Sequence, residues 1–280
     1  MDLTLFQGER KSGLSKWALR VPVLLYIGLM ILVPLLVILQ DGFREGIGEL
    51  IHQITLPIAR HAISLTLWTA ALMTLINAVM GLATAYVLVR YEFPGKRVLN
   101  AIIDLPLSIP TLVTGVMLVM LYGPQGVLGD FLANELGFQV IFAPPGIVIA
   151  LLFISFPFVV RTIQPVLMNL DLAQEKAAAT LGAKPWHTFR TVVLPNLLPP
   201  LVSGSLLSFS RAIGEFGAVV IVAGNIPLKT QTAAVYVLGA VESENRLGAS
   251  AISLLLIAVA TLILLTANRV QKAWETRYEN

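Results

Sequence analysis

Long apolar runs alternate with polar stretches along the whole chain. The runs lie at Val21–Leu39, Ala62–Val89, Val98–Leu121, Gly146–Val160, Pro199–Val222 and Ala249–Ala267. A helix of about 20 apolar residues spans a bilayer, so the pattern predicts an all-α membrane protein of about six transmembrane helices. The first run exceeds the roughly 7 to 15 residues of a signal-peptide core, and no small-residue cleavage site precedes Gln40. It is therefore expected to remain as a span.

Basic residues set the orientation, because Lys and Arg are retained on the cytoplasmic side. Arg10, Lys11, Lys16 and Arg20 precede the first span, and Arg90, Lys96 and Arg97 follow the second. Arg161, Lys176, Lys184 and Arg190, then Arg269, Lys272 and Arg277, fall on the same side; Arg44, Arg60, Lys229 and Arg246 fall on the other. Both termini are then cytoplasmic. Residues 1–20 form a cytoplasmic N-terminal segment, 21–267 a membrane domain and 268–280 a cytoplasmic tail. On the outer side, Asp41–His61 is expected at the interface, and Tyr122–Pro145 is broken by glycine and proline. Ala233–Val241 is too short to cross, and is read as lying flat rather than dipping inward. No internal repeat or low-complexity tract is found.

One polar island, 171–195, has a distinct local grammar. Asp171 followed by Gln174 is a capping-box pattern that starts a helix at Leu172. Ala173, Ala177 and Leu181, with Ala178 beside them, form a row at helical spacing whose small side chains admit another surface. Gly182 stops the helix and Pro185 starts a second one. Trp186 and Phe189 give the second helix an apolar edge, and Leu194-Pro195 is expected to end it. The outcome is a cytoplasmic hairpin that either docks a partner or rests on the membrane surface.

Composition agrees with burial in lipid: 56% of residues are hydrophobic and only 12% charged, with mean hydropathy +0.82. The chain has no cysteine, and His52, His61 and His187 lack metal-ligand spacing, so no metal site is expected. A net charge of +3 is too small and dispersed to suggest nucleic acid. Gly95-Lys96-Arg97 lacks the upstream glycine and the hydroxyl of a phosphate-binding loop, so ATP hydrolysis would have to come from a partner.

Charged residues within the apolar runs carry the remaining chemistry, since charge at that depth is costly and usually faces protein or a wet path. Gly204, Ser208, Arg211 and Glu215 share one helical face in the fifth run, and Arg211 can pair with Glu215. Asp104, Ser108, Thr111 and Gly115 repeat the spacing in the third, with Pro106 and Pro110 able to distort it. Two readings stand side by side: a structural ion pair with small residues for close packing, or stripes lining a passage for a polar solute. In the second reading Arg211 suits an anion, and partial neutralisation by Glu215 lets it leave. A membrane enzyme using Asp104 and Glu215 is a rival, although the two lie at different depths. A passive channel is another.

Glu175 to Ala183, EKAAATLGA, with Leu194-Pro195 beyond it, resembles the EAA loop of permease subunits of bacterial ABC importers, which docks into a groove on the ATPase. The resemblance implies coupling roles for Glu175, Lys176, Ala177, Ala178, Leu181, Gly182 and Ala183. Lys176 stands where that family usually has an acidic residue, which leaves Glu175 as the acid of the stretch. Phe156–Thr162, Gln164–Leu167, Arg211–Ala218 and Gly224–Thr230 further resemble the T-subunit family of sulfate and thiosulfate permeases, and molybdate permeases share Arg211–Ala218. This implies a type I ABC importer permease fold in a bacterial inner membrane. It also implies an ATPase subunit dimer that binds ATP and Mg, a second related permease subunit and an external sulfate-binding protein. No catalytic residue or cofactor is expected in this chain. Sulfate or thiosulfate would be moved by alternating access, with a passage that includes Arg211, Glu215, Ser208, Asp104, Ser108 and Thr111. A molybdate or tungstate importer is the alternative.

Overall fold

The computed structural model describes residues 13–278. Arg10 and Lys11 lie outside the described residues, as do the side chains of Lys16 and Arg277.

Every regular element is helical among the described residues. The first span, α1 (Arg20–Phe43), continues a helix that starts at Gly13 and is almost wholly exposed. A short helix, α2 (Ile47–Thr55), leads into α3 (Pro57–Arg90), which starts on a proline at its first position. Then come α4 (Lys96–Ser108) and α5 (Thr111–Tyr122), which are bent by 112° to one another. The third apolar run is thus not one straight span. Pro110 lacks an N–H and forces Ile109 into an extended conformation, φ −83° and ψ 130°, so the helix stops before it. After α6 (Val127–Leu136), α7 (Pro144–Asn169) runs well past the expected Val160. Among the described residues five helices are long and apolar enough to cross a membrane, and six if the bent pair counts as one broken span.

The hairpin helix α8 (Leu172–Thr180) is followed by α9 (Pro185–Ile213), which is continuous through Leu194-Pro195. The expected stop there does not occur. A π-helical turn over Phe189–Val193, in which the Leu194 N–H donates to the Phe189 carbonyl, absorbs the proline without ending the helix. The far end also differs from expectation. α9 stops at Ile213, and the remainder of the fifth run forms a separate short helix, α10 (Gly217–Ala223). Then α11 (Ala233–Glu242) leads to the last span, α12 (Arg246–Tyr278). Instead of lying flat and free, α11 buries Ala233, Val235 and Ala240 against α3 and α12.

The core is centred on α3, α7 and α9. At one end, Leu65, Met73, Ile147, Leu151 and Ile213 pack together; at the hairpin end, Leu88, Val159, Ile163, Leu167 and Leu197 do so. Lipid is as apolar as these side chains, so close packing and interhelical hydrogen bonds hold such a bundle. Thr66 Oγ1, for example, accepts from the Ala233 N–H at 2.8 Å, and joins α11 to α3.

Candidate functional site

The hairpin has a defined geometry. Asp171 Oδ1 accepts from the Ala173 N–H at 2.8 Å, so the cap satisfies an amide that the first helical turn cannot. At the other end Gly182 adopts φ +82°, which only glycine takes at little cost. There the Gly182 N–H donates to Ala179 and the Ala183 N–H to Ala178, closing the carbonyls of the last turn. Ala173, Ala177 and Leu181 all face outward, while Ala178 is half-buried. Leu181 is 88% exposed and Trp186 70%. Two ties fix the hairpin to the end of α3. Arg90 Nη2 donates to Glu175 Oε1 at 2.6 Å, with both side chains largely buried. Phe189 stacks on Trp186 with ring centroids 5.6 Å apart and meets the edge of Tyr86 at 5.3 Å.

A polar cluster sits at the same end of the bundle. Arg161 of α7 holds Asp104 of α4 in a bidentate pair, Nε–Oδ1 2.7 Å and Nη2–Oδ2 2.5 Å. It also donates to the Asn100 carbonyl, Asn100 Oδ1 and Gln164 Oε1 at 2.7, 2.9 and 2.5 Å. All five guanidinium N–H groups are engaged. The cluster walls a cavity of about 770 Å³ whose other lining includes Leu88, Phe93 and Lys96.

At the opposite end, the three residues between α9 and α10 form an elbow. Glu215, with a side chain only 2% exposed, accepts from Arg211 Nη2 at 2.7 Å through one oxygen. Its other oxygen accepts from the Ala218 N–H at 3.0 Å. By taking up a free amide at the start of α10, Glu215 favours a new helix over continuation of the old one. The Arg211 side chain remains 35% exposed. α10 lies tight on α5: a Cβ on Gly115 would stand 3.1 Å from Ala218 Cα, and one on Gly217 would collide with Thr111 Oγ1.

The residues nominated from spacing are therefore regrouped. Thr111 joins the elbow of Arg211 and Glu215, because Gly217 brings α10 onto it. Ser208 does not share their surroundings; it is fully buried, its hydroxyl donating to the Ser155 carbonyl at 3.3 Å. Gly204 packs on Val159 and Thr162 in the same way. Asp104 is committed to Arg161, and Ser108, although exposed, lies across the 112° bend from Thr111. No single stripe runs down the third run. Asp104 and Glu215 each belong to a separate arginine, so they do not converge as an acid and base pair. Spacing does not reveal Arg161: the charge pattern groups it with the cytoplasmic basic residues, but it lies within α7. Its signal was present: Gln164 stands three residues on, and a charge lies inside an apolar helix.

The comparisons with known proteins agree with this architecture. Residues 77–280 match the family described as binding-protein-dependent transport system inner membrane component. A protein of Nephroselmis olivacea named "Probable sulfate transport system permease protein cysT" is 42% identical over 93% of this chain and 91% of its own. The "Sulfate transport system permease protein CysT" of Synechocystis sp. is 40% identical over 93% and 90%. Among solved structures, a bacterial ABC transporter that imports the polysaccharide alginate has TM-score 0.76 at 17% identity, over 93% of this chain and 96% of its own. The MetNI methionine ABC transporter, in an inward-facing form, has TM-score 0.56 at 20% identity, over 76% and 94%. These two show the fold alone. The chain is thus a multi-pass membrane protein that belongs to the binding-protein-dependent transport system inner membrane component family, the permease components of ABC importers.

Proposed function

We propose that this chain is the permease subunit of an ATP-driven sulfate and thiosulfate importer. The observation that carries the reading is the hairpin: a capped helix and a left-handed glycine turn present Leu181 outward at the turn and Trp186 outward on the helix that continues into a span. Such a rigid lever transmits a push, which a passive pore would not need. Sulfate as the solute is supported by the names of relatives that match across nearly the whole chain.

The proposed assembly contains a second, related permease subunit, an ATPase dimer on the cytoplasmic side that binds ATP and Mg, and an external sulfate-binding protein. It sits in a bacterial inner membrane. The ATPase grips the stretch from Lys176 to Ala183, with Glu175 turned away onto Arg90, and its closure tilts α9 through the hairpin. The anion passes the elbow, where Arg211 attracts it and Glu215 keeps the attraction weak enough for release. Thr111 lines the same point. Labelled sulfate uptake by cells lacking their own importer, supplied with this chain and its genomic neighbours, tests the reading. Uptake that requires this chain supports it; uptake of molybdate but not sulfate would assign the alternative solute.

A further inference from the structure

The docking hairpin is oriented by its charges. Glu175 is turned inward onto Arg90, at 2.6 Å and with side chains 18% and 11% exposed. On about 3.6 residues per turn, the face opposite Glu175 carries Ala173, Ala177 and Thr180, all exposed. Lys176 flanks that face and Lys184 follows the turn; both are exposed, and neither enters an ion pair among the described residues. Asp171, the other acid here, has given one oxygen to the helix cap. The outward surface is therefore an apolar knob, Leu181 and Trp186, flanked by two ammonium groups.

We infer that the hairpin docks as a cationic knob: Lys176 and Lys184 pair with carboxylates on the rim of the ATPase groove, while Arg90 withholds Glu175 from that interface. The inference rests on the importer reading and deepens it. Seating Leu181 and Trp186 in a groove strips water from the neighbouring lysines, and an ammonium desolvated without a partner opposes docking. The groove must then carry acidic groups beside an apolar slot. Lys176 at the position where the resembling loops carry an acid becomes a matched inversion of charge. Exposed loop lysines also suit an anionic lipid surface. The knob argues for a protein groove, because Leu181 and Trp186 protrude at the hairpin tip together with the charges.

The test uses the whole complex, with the tagged permease in nanodiscs of neutral phosphatidylcholine, and measures the ATPase retained across a range of NaCl. Wild type, Lys176→Glu, Lys184→Glu, Lys176→Gln and Glu175→Gln are compared at equal membrane insertion. The expected result is that each charge reversal lowers retention at least about tenfold, as for a charge pair at an interface, with Lys176→Gln intermediate. The reversals also flatten the salt dependence, because the screened attraction is gone. Glu175→Gln, whose amide oxygen can still accept from Arg90 Nη2 as Glu175 Oε1 does, lowers retention less than about twofold, the range of a group outside the contact. Retention unchanged in both reversals, or a loss with Glu175→Gln as large as with Lys176→Glu, overturns the inference. An effect of the reversals seen only in nanodiscs containing phosphatidylglycerol overturns it in favour of lipid. A wild type that takes up sulfate with ATP yet retains its ATPase regardless of these charges fails this inference alone; one that retains no ATPase at all fails the importer reading as well.

Discussion

The two ends of the bundle use charge in opposite ways. At the hairpin end, beside the local pair of Lys96 with Glu92, two ion pairs are long-range: Arg161 joins α7 to α4, 57 residues apart, and Arg90 joins α3 to α8, 85 residues apart. At the elbow the pair is local, Arg211 with Glu215 four residues on. A long-range pair bolts two elements into one unit. A local pair fixes the shape of one joint without tying it by charge to another element. The two arginine side chains are similarly exposed, but Arg161 is saturated with five donated bonds, whereas Arg211 is held by its pair with Glu215. Under the proposed function, the difference suits a rigid end that receives force and a second end that contacts the solute.

Breaking the local pair should have the largest effect. Arg211→Ala leaves Glu215 buried without its partner, and the expected loss is about 3–5 kcal/mol, read as a lower unfolding midpoint and poor recovery of the complex. Adding Glu215→Gln removes the stranded charge and should restore recovery without restoring sulfate uptake. A double variant that transports normally would reduce Arg211 to a structural cation. Gly115→Ala should cost about 1–3 kcal/mol, as overpacking does, by forcing α5 off α10; uptake should fall in proportion to the shift in midpoint. Gly182→Val places a β-branched residue at φ +82° and should cost about 1–3 kcal/mol locally. Here the protein inserts normally while sulfate no longer stimulates ATP hydrolysis. Asp104→Asn should have the smallest effect, about 1 kcal/mol, because the pair is half-exposed and screened. Its uptake should stay near wild type, which separates a bolt from a solute contact.

Much of the hairpin was legible because its determinants are local. Asp171, Gly182 and Pro185 each act on amides within a few residues, and the structure puts the helix ends where those residues direct. The membrane joints were less legible. Ile109-Pro110 lies in an unbroken apolar run, where hydropathy continues although the backbone cannot. The elbow at Gly214 to Phe216 depends on a carboxylate capping the next helix, which i, i+4 spacing reads as an ordinary helical pair. Leu194-Pro195 misled in the other direction, since a π-helical turn let the helix pass. Arg161 reads from sequence as one more cytoplasmic-side basic residue because its partners, Asp104 and Asn100, are 57 and 61 residues away. No periodicity connects them.

The central claim is that this chain moves sulfate only when a partner spends ATP. The direct measurement is labelled sulfate accumulation in sealed vesicles containing the full complex, with loaded external binding protein on one side and ATP on the other. Accumulation above the outside concentration, dependent on ATP and lost when this chain is omitted, is the predicted result. Equilibration at the same rate without ATP would contradict the account and make the chain a passive pore.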